Sequence, residues 1–395
     1  MIFIKYYKRV NAGMKKYLNC EEKRLMERIA IVMGKMHSGG KKNLVMEYYR
    51  QIDRSKIQFD FICDADSNAI PKAEIEELGG RVYVITPYQN IIKNVKDIKE
   101  LCDKNYYKII HGYNGTLNIF AMFSGWCAGV PIRINESISM SHIADKKTIL
   151  KNLLKPFSRC FSTNLMANGE VCGRWQFGDK VYEQGKVVVF KTVIDTEKNC
   201  FDLEIRKKCR TEFNIDDNIV IGHIGRLTEQ KNTLFIIDIF WEICKKEPKA
   251  RLLLIGEGNL KDIMLKKIED LGIGDKVLYL GRREDIQQFY NGMDCFLLPS
   301  LYEGLPVVGV EAETCGLPVF FSTEVPRESS VCDDIGFFVD LKKTAEEWAD
   351  IVLKKTKEVM LIRRSHVDEM KKNGFDSVVE GKKLLDYYEK LLGKL

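Results

Sequence analysis

The sequence predicts an α/β fold built as two parallel-sheet domains, and three observations carry that expectation. Short apolar runs alternate with helical stretches from Ile29 onward, stop at a polar connector, Lys191 to Asn199 (KTVIDTEKN), and then begin again. The chain has 395 residues, too many for one ordinary core at about 150 residues per domain. Glycine-bearing turns follow several of the apolar runs: GKMHSGG at Gly34 to Gly40, GRLTEQKN at Gly225 to Asn232 and GEG at Gly256 to Gly258. Strand–helix alternation covers a parallel sheet on both faces, and right-handed crossovers gather the loops after the strands at one sheet edge. Two such sheets with those edges facing would enclose a cleft.

In chain order, residues 1–27 lack clean periodicity and read as an N-terminal extension, either an interfacial anchor or an upstream start, since Met26 directly precedes the first convincing strand. Strands are expected at Ile29 to Met33, Phe59 to Cys63, Arg81 to Ile85, Lys108 to His111, Pro131 to Asn135, Cys160 to Thr163 and Lys186 to Phe190, giving a first domain over 28–192. A second domain over 193–375 takes strands at Ile219 to His223, Arg251 to Ile255, Lys276 to Leu280, Cys295 to Leu298, Val319 to Ser322 and Phe337 to Val339. Two Lys- and Glu-rich amphipathic helices, about Ala345 to Lys371 and Ser377 to Leu392, close the chain, with 376–395 as a terminal helix.

Composition narrows the function. Hydrophobic residues at 45% and charged residues at 30% are ordinary for a globular protein. No apolar run reaches the roughly 18 residues of a membrane span, and the apolar part of the N-terminus is too short for a secretory core, so a cytoplasmic protein is expected. Its 12 cysteines are scattered without C-x-x-C pairs or histidines at metal spacing, which reads as reduced and structural. A net charge of +6 does not point to nucleic acid. Lys147, Lys151, Lys155 and Arg159 recur every fourth position among Leu150, Leu153, Leu154 and Phe157. That pattern suits a peripheral contact with an anionic bilayer, and equally a solvated helix face, with Pro156 interrupting any longer helix.

The chemistry concentrates in Pro299 to Val319, PSLYEGLPVVGVEAETCGLPV. A strand runs out at Pro299, Gly304, Leu305 and Pro306 form a tight turn, and a helix begins whose free N–H groups suit a phosphate. Glu303 and Glu311, eight positions apart, can share a face if that helix starts early, at about 3.6 residues per turn. Carboxylates repel phosphate, so their partners are hydroxyls, and a ligand with both phosphates and sugars is implied. Arg226 and Lys231, five apart across the turn that Gly225 opens, bring two cations to the same sheet edge. That charge can stabilise a departing diphosphate. No Asp-x-Asp pair is placed to hold a metal, so no metal or other cofactor is expected.

EGLPVVGVE, followed by GLPV, resembles the E-x7-E signature of family 4 retaining glycosyltransferases, and the likeness extends over nearly the whole chain from Met26. YYRQIDRSKIQFDF and the WQFG at Trp175 to Gly178 look like the branch that builds bacterial capsules and exopolysaccharides. The resemblance implies a GT-B fold with Rossmann-like acceptor and donor domains, the final helix returning to the first. It also implies that Glu303 contacts the transferred sugar, Glu311 holds the ribose, and Arg226, Lys231 and the amides at 304–306 bind the diphosphate. Gly39 and Gly40 would lie where acceptor and donor phosphates meet, with Gly225, Gly256 and Gly258 against the nucleotide and Arg282 beside the base. The sequence departs from the family after VPIRI, where Glu136 stands in place of a histidine, as a carboxylate that could take the acceptor proton; the next imidazole is His142.

The expected activity is therefore retaining transfer of a sugar from a UDP-linked donor to a lipid-linked glycan acceptor. Two rivals stand beside it. One is a nucleotide-sugar epimerase or hydrolase on the same fold, and the other is a catalytically silent nucleotide-binding partner of another transferase, which Glu136 would favour.

Overall fold

The computed structural model describes residues 26–37, 39–138, 148–361 and 363–395. The described residues form two compact units, those up to Val193 with 377–395, and residues 194–376.

In the first unit the elements run β1 (Glu27–Gly34), α1 (Gly40–Gln51), β2 (Ile57–Asp64), α2 (Lys72–Glu77), β3 (Arg81–Ile85), α3 (Ile91–Asn105), β4 (Ile109–Gly112), α4 (Asn118–Ala128), β5 (Ile132–Ser137), α5 (Thr148–Leu154), β6 (Asn164–Ala167), α6 (Glu170–Phe177), α7 (Asp179–Glu183) and β7 (Val187–Val189). The strands form a seven-stranded sheet in the order β3-β2-β1-β4-β5-β6-β7, every pair parallel. Alternation along β1 sends Ile29, Ile31 and Met33 to one buried layer and Ala30 and Val32 to the other. A strand covered on both faces reads as a continuous apolar run, which is why β1 was visible in sequence.

The second unit continues with α8 (Leu203–Glu212), β8 (Ile219–Ile224), α9 (Thr233–Lys246), β9 (Ala250–Ile255), α10 (Lys261–Asp270), β10 (Val277–Tyr279), α11 (Gln287–Gly292), β11 (Cys295–Leu298), α12 (Val307–Thr314), β12 (Val319–Ser322), β13 (Gly336–Val339), α13 (Ala345–Met360) and α14 (Val367–Lys372). Its six strands, all parallel, take the order β10-β9-β8-β11-β12-β13. Leu252 and Leu254 of β9 face one core layer and Leu253 and Ile255 the other. In both sheets the order reverses beside the first strand of the unit, between β1 and β4 and between β8 and β11. Open α/β sheets bind ligands outside the carboxyl ends of strands at such a reversal.

The last helix, α15 (Ser377–Leu392), belongs to the first unit, where Leu384, Leu385, Tyr388 and Leu391 join the core beside Tyr48, Tyr49 and Phe59. Gly381 permits the approach: a Cβ there would stand 2.9 Å from Gln51 Cβ.

Three expected elements differ. The strand placed at Cys160 to Thr163 forms instead at Asn164–Ala167, after Thr163 donates its amide to the Arg133 carbonyl. The helix expected from Ala345 to Lys371 is broken into α13 and α14. Between them the Arg363 guanidinium donates to the carbonyls of Tyr290 at 2.9 Å, Met293 at 2.8 Å and Cys315 at 3.1 Å, acceptors at the ends of α11 and α12. The helix after Pro299 starts only at Val307, because Pro306 is its N-cap with extended backbone (ψ 110). Glu303 therefore lies in the preceding loop, and the two glutamates do not share a helix face.

Candidate active site

The loops that leave β8 and β11, the strands flanking the reversal in the second sheet, carry the residues that the sequence marked. They are tied to each other. Leu301 donates its amide to the Gln230 carbonyl at 2.8 Å, and the Gln230 side chain donates to the Tyr302 carbonyl at 3.1 Å. Lys231 Nζ lies 2.5 Å from Glu303 Oε1, the two side chains 11% and 8% exposed. Arg226 is exposed and donates to Gln230 Oε1 at 2.8 Å. One side chain, Gln230, thus links the exposed cation to the loop of the first glutamate.

Glu311 enters from α12. Its Oε2 accepts a 2.7 Å hydrogen bond from the Tyr290 hydroxyl of α11, and both residues are buried. Burial first, and the carboxylate second, push the Tyr290 phenol well above its ordinary range, so it stays a donor. That hydrogen bond holds the carboxylate oriented.

In the GEG turn the glycines allow a close approach of one backbone to another. A Cβ on Gly256 (φ 143) would stand 1.8 Å from the Gly225 carbonyl oxygen, and one on Gly258 2.1 Å from that of Leu227. Backbone bonds from Gly225 N to Ile255 O and from Leu227 N to Glu257 O lock the two turns together. The glycines let the GEG turn press against the GRL turn and fix where Arg226 begins. Arg282, after β10, is exposed and stands 4.0 Å from Glu284. Gly304 and Leu305 precede the extended Pro306, and Leu305 is anchored in a small core with Val310.

In the first unit Gly39 is the N-cap of α1, and nothing lies within 4 Å of a Cβ built on Gly39 or Gly40. That backbone is open to a ligand. A recess at the carboxyl ends of β1 and β2 is lined by Gly34, Asp64, Asn94, Asn114 and Asn118. Glu136 corrects the expectation of a carboxylate waiting for an acceptor. It points into the core, 2% exposed, its Oε2 2.9 Å from His111 Nε2, while His111 Nδ1 is 2.8 Å from the Tyr388 hydroxyl of α15. On β5 it shares the inward face with Ile132 and Ile134, which the alternation of the strand dictates. His142 and Lys147 lie outside the described residues.

Residues 205–374 match the family model described as glycosyl transferases group 1. Those residues, most of the second unit, carry the group 1 glycosyltransferase domain. Among its relatives, EpsF of Bacillus subtilis (strain 168) is 28% identical over 342 residues, covering 85% of this chain and 88% of EpsF. The UDP-Gal:alpha-D-GlcNAc-diphosphoundecaprenol alpha-1,3-galactosyltransferase of Escherichia coli is 24% identical over 369 residues, covering 88% of this chain and 93% of that protein. The fold matches the crystal structure of Anabaena HepE in complex with UDP at a TM-score of 0.75 and 20% identity, over 92% of this chain and 100% of HepE. The two Rossmann-like units are thus those of the GT-B glycosyltransferases.

Sequence reading of this glycosyltransferase missed Tyr290 and Gln230, whose roles depend on partners 21 and 72 positions away. It also missed His223, the penultimate residue of β8. Its Nδ1 is 2.9 Å from the Leu297 carbonyl, its ring stacks on Phe296, and its Nε2, fully buried, makes no hydrogen bond. A Cβ on Gly225 would be 3.0 Å from that Nε2 and 3.7 Å from Lys231 Cε. Burial, with a smaller contribution from the Lys231 charge, pushes the imidazole down to about 4, so it is neutral and adds no charge to the Lys231 site.

Proposed function

We propose that this glycosyltransferase moves a sugar, with retention, from a UDP-sugar to a lipid-linked glycan of a surface polysaccharide. The observation that carries the reading is the joining of the β8 and β11 loops through Lys231 and Glu303 at the strand-order reversal. In it Lys231 and Arg226 hold the diphosphate, Glu303 orients the donor sugar, Glu311 takes the ribose hydroxyls and the 304–306 turn offers backbone to a phosphate. Lys231 has three N–H donors, enough to keep Glu303 and still reach a phosphate oxygen. The acceptor oxygen bonds to the anomeric carbon on the face from which the diphosphate leaves. Its proton passes to a departing phosphate oxygen, and the bonding pair leaves with UDP, whose new charge the two cations stabilise. No protein nucleophile is needed, and the buried Glu136 is not required as a base. UDP is supported by the HepE complex and an undecaprenol-linked acceptor by the name of the Escherichia coli relative.

A lipid-linked acceptor calls for a membrane surface, and the first unit offers one. Ile149, Leu153 and Phe157 are 82%, 67% and 54% exposed, beside Lys151, Lys155 and the exposed Arg159. These apolar groups are not packed on the unit, which favours a bilayer contact over a merely solvated helix face. No helix among the described residues is long and apolar enough to cross a membrane.

The test is a panel of UDP-sugars with and without undecaprenyl-diphosphate-linked sugar acceptors, with products analysed for anomeric configuration. Acceptor-dependent UDP release and a product of unchanged anomeric configuration support the proposal. Sugar release with donor alone assigns a hydrolase, and UDP binding without turnover of any donor assigns the silent partner.

A further inference from the structure

Away from the nucleotide loops, three side chains of different chemistry converge at the start of β13. Cys332 and Asp334 lie in the turn before that strand, and His366 is the N-cap residue of α14; their ligand atoms all lie within 4.8 Å of one another. Cys332 is 3% and His366 2% exposed, whereas Asp334 is exposed, giving an ion a path in from solvent. His366 Nδ1 is buried and faces Glu369 Oε1 at 3.3 Å. A thiol, an imidazole and a carboxylate brought together at a largely buried point are groups that one ion can coordinate.

We propose that Cys332, Asp334 and His366 form a binding site for one divalent transition-metal ion of the zinc class, with the Glu369 carboxylate 3.3 Å from the imidazole. A thiolate, an imidazole and a carboxylate together suit zinc, whereas magnesium and calcium take oxygen ligands. Bond lengths of about 2.0 to 2.3 Å put neighbouring ligand atoms of a tetrahedral zinc roughly 3.5 Å apart, so the ligand atoms need to close by only about 1 Å. Cys332 and His366 stand 34 positions apart, which hides the set from any reading of spacing.

The site would act as a clasp. The His366 amide donates to the Thr314 carbonyl at the end of α12, and Cys332 shares a small core with Leu305 and Val310. An ion here ties the chain after the α13 break to the turn before β13, and both to the helix that carries Glu311. The proposed ligands are none of the residues assigned to the diphosphate or the sugar, so the site does not depend on how sugar transfer is catalysed.

The test uses the full-length, tag-free, reduced protein, stripped with chelator and titrated with Zn²⁺ or Co²⁺. One equivalent of Co²⁺ should bind with a sulfur-to-metal charge-transfer band that Zn²⁺ displaces, and Zn²⁺ should raise the melting temperature. Cys332→Ser should abolish the band. Asp334→Asn, an exposed change that leaves folding intact, should weaken Zn²⁺ binding tenfold or more, and decides the matter if the Cys332 variant fails to fold. No saturable one-to-one binding, or binding unchanged in Asp334→Asn, overturns the proposal.

Discussion

Glu303 and Lys231 form a pair whose two halves make opposite predictions for nucleotide binding. With Nζ and Oε1 2.5 Å apart and the side chains 11% and 8% exposed, truncating either residue strands a nearly buried charge. Breaking such a pair costs about 3 kcal/mol or more of stability, a fall in melting temperature of roughly 6–12 °C for a unit of this size. Glu303→Gln is milder, because the amide oxygen still accepts from Nζ, at about 1 kcal/mol. In the proposed site Lys231 contributes a charge-assisted phosphate contact of about 1.5–3 kcal/mol, so Lys231→Ala should weaken UDP binding by roughly tenfold to a hundredfold. Glu303 repels the same phosphates and serves the sugar. Glu303→Gln should therefore leave UDP affinity unchanged or tighter while lowering kcat by about a hundredfold or more. Isothermal titration with UDP and a coupled UDP-release assay, run below the melting transition of each variant, measure both quantities. If Glu303→Gln loses UDP affinity as strongly as Lys231→Ala with kcat unchanged, Glu303 only positions the lysine, and its assignment to the sugar is wrong.

Other outcomes follow from the same geometry. Tyr290→Phe deprives the buried Glu311 carboxylate of its 2.7 Å donor, so UDP affinity should fall by about tenfold while pyrophosphate affinity stays the same; parallel losses for both ligands would place Glu311 elsewhere than on the ribose. Gly256→Ala, whose Cβ would stand 1.8 Å from the Gly225 carbonyl oxygen at φ 143, should cost more than about 3 kcal/mol in urea unfolding; wild-type stability would show that the two turns can part. His223, held down to about 4 by burial against about 6.5 in the unfolded chain, binds its proton more readily when unfolded. Stability should fall as pH drops from about 6.5 towards 4, by roughly 3 kcal/mol, and level off below. His223→Gln should flatten that part of the pH–stability profile, and an unchanged slope would assign the dependence to other groups.

What the sequence reveals and hides can be followed residue by residue. Strands β1 and β11 were legible because a strand buried on both faces reads as a run of apolar residues, a local property. The turns after them were legible because glycine, proline and charge fall together in Gly225 to Lys231 and Glu303 to Pro306. Helix start and register were less so. Pro306 looked like a first-turn residue, yet its extended backbone delays α12 to Val307, and the equal-face reading of Glu303 and Glu311 falls with it.

The sequence by itself determined the strand–helix alternation, its restart after the connector, and the residue types available at each loop, since all three are written in neighbours along the chain. Tertiary structure decided the strand order, the return of α15 to the first core, the break that lets Arg363 cap α11 and α12, and the turning of Glu136 inward onto His111. It also decided that Lys231 meets Glu303 across 72 positions. A side chain's partner is set by which faces of distant elements pack together and which buried polar groups must then be satisfied, and no spacing along one strand or helix encodes that.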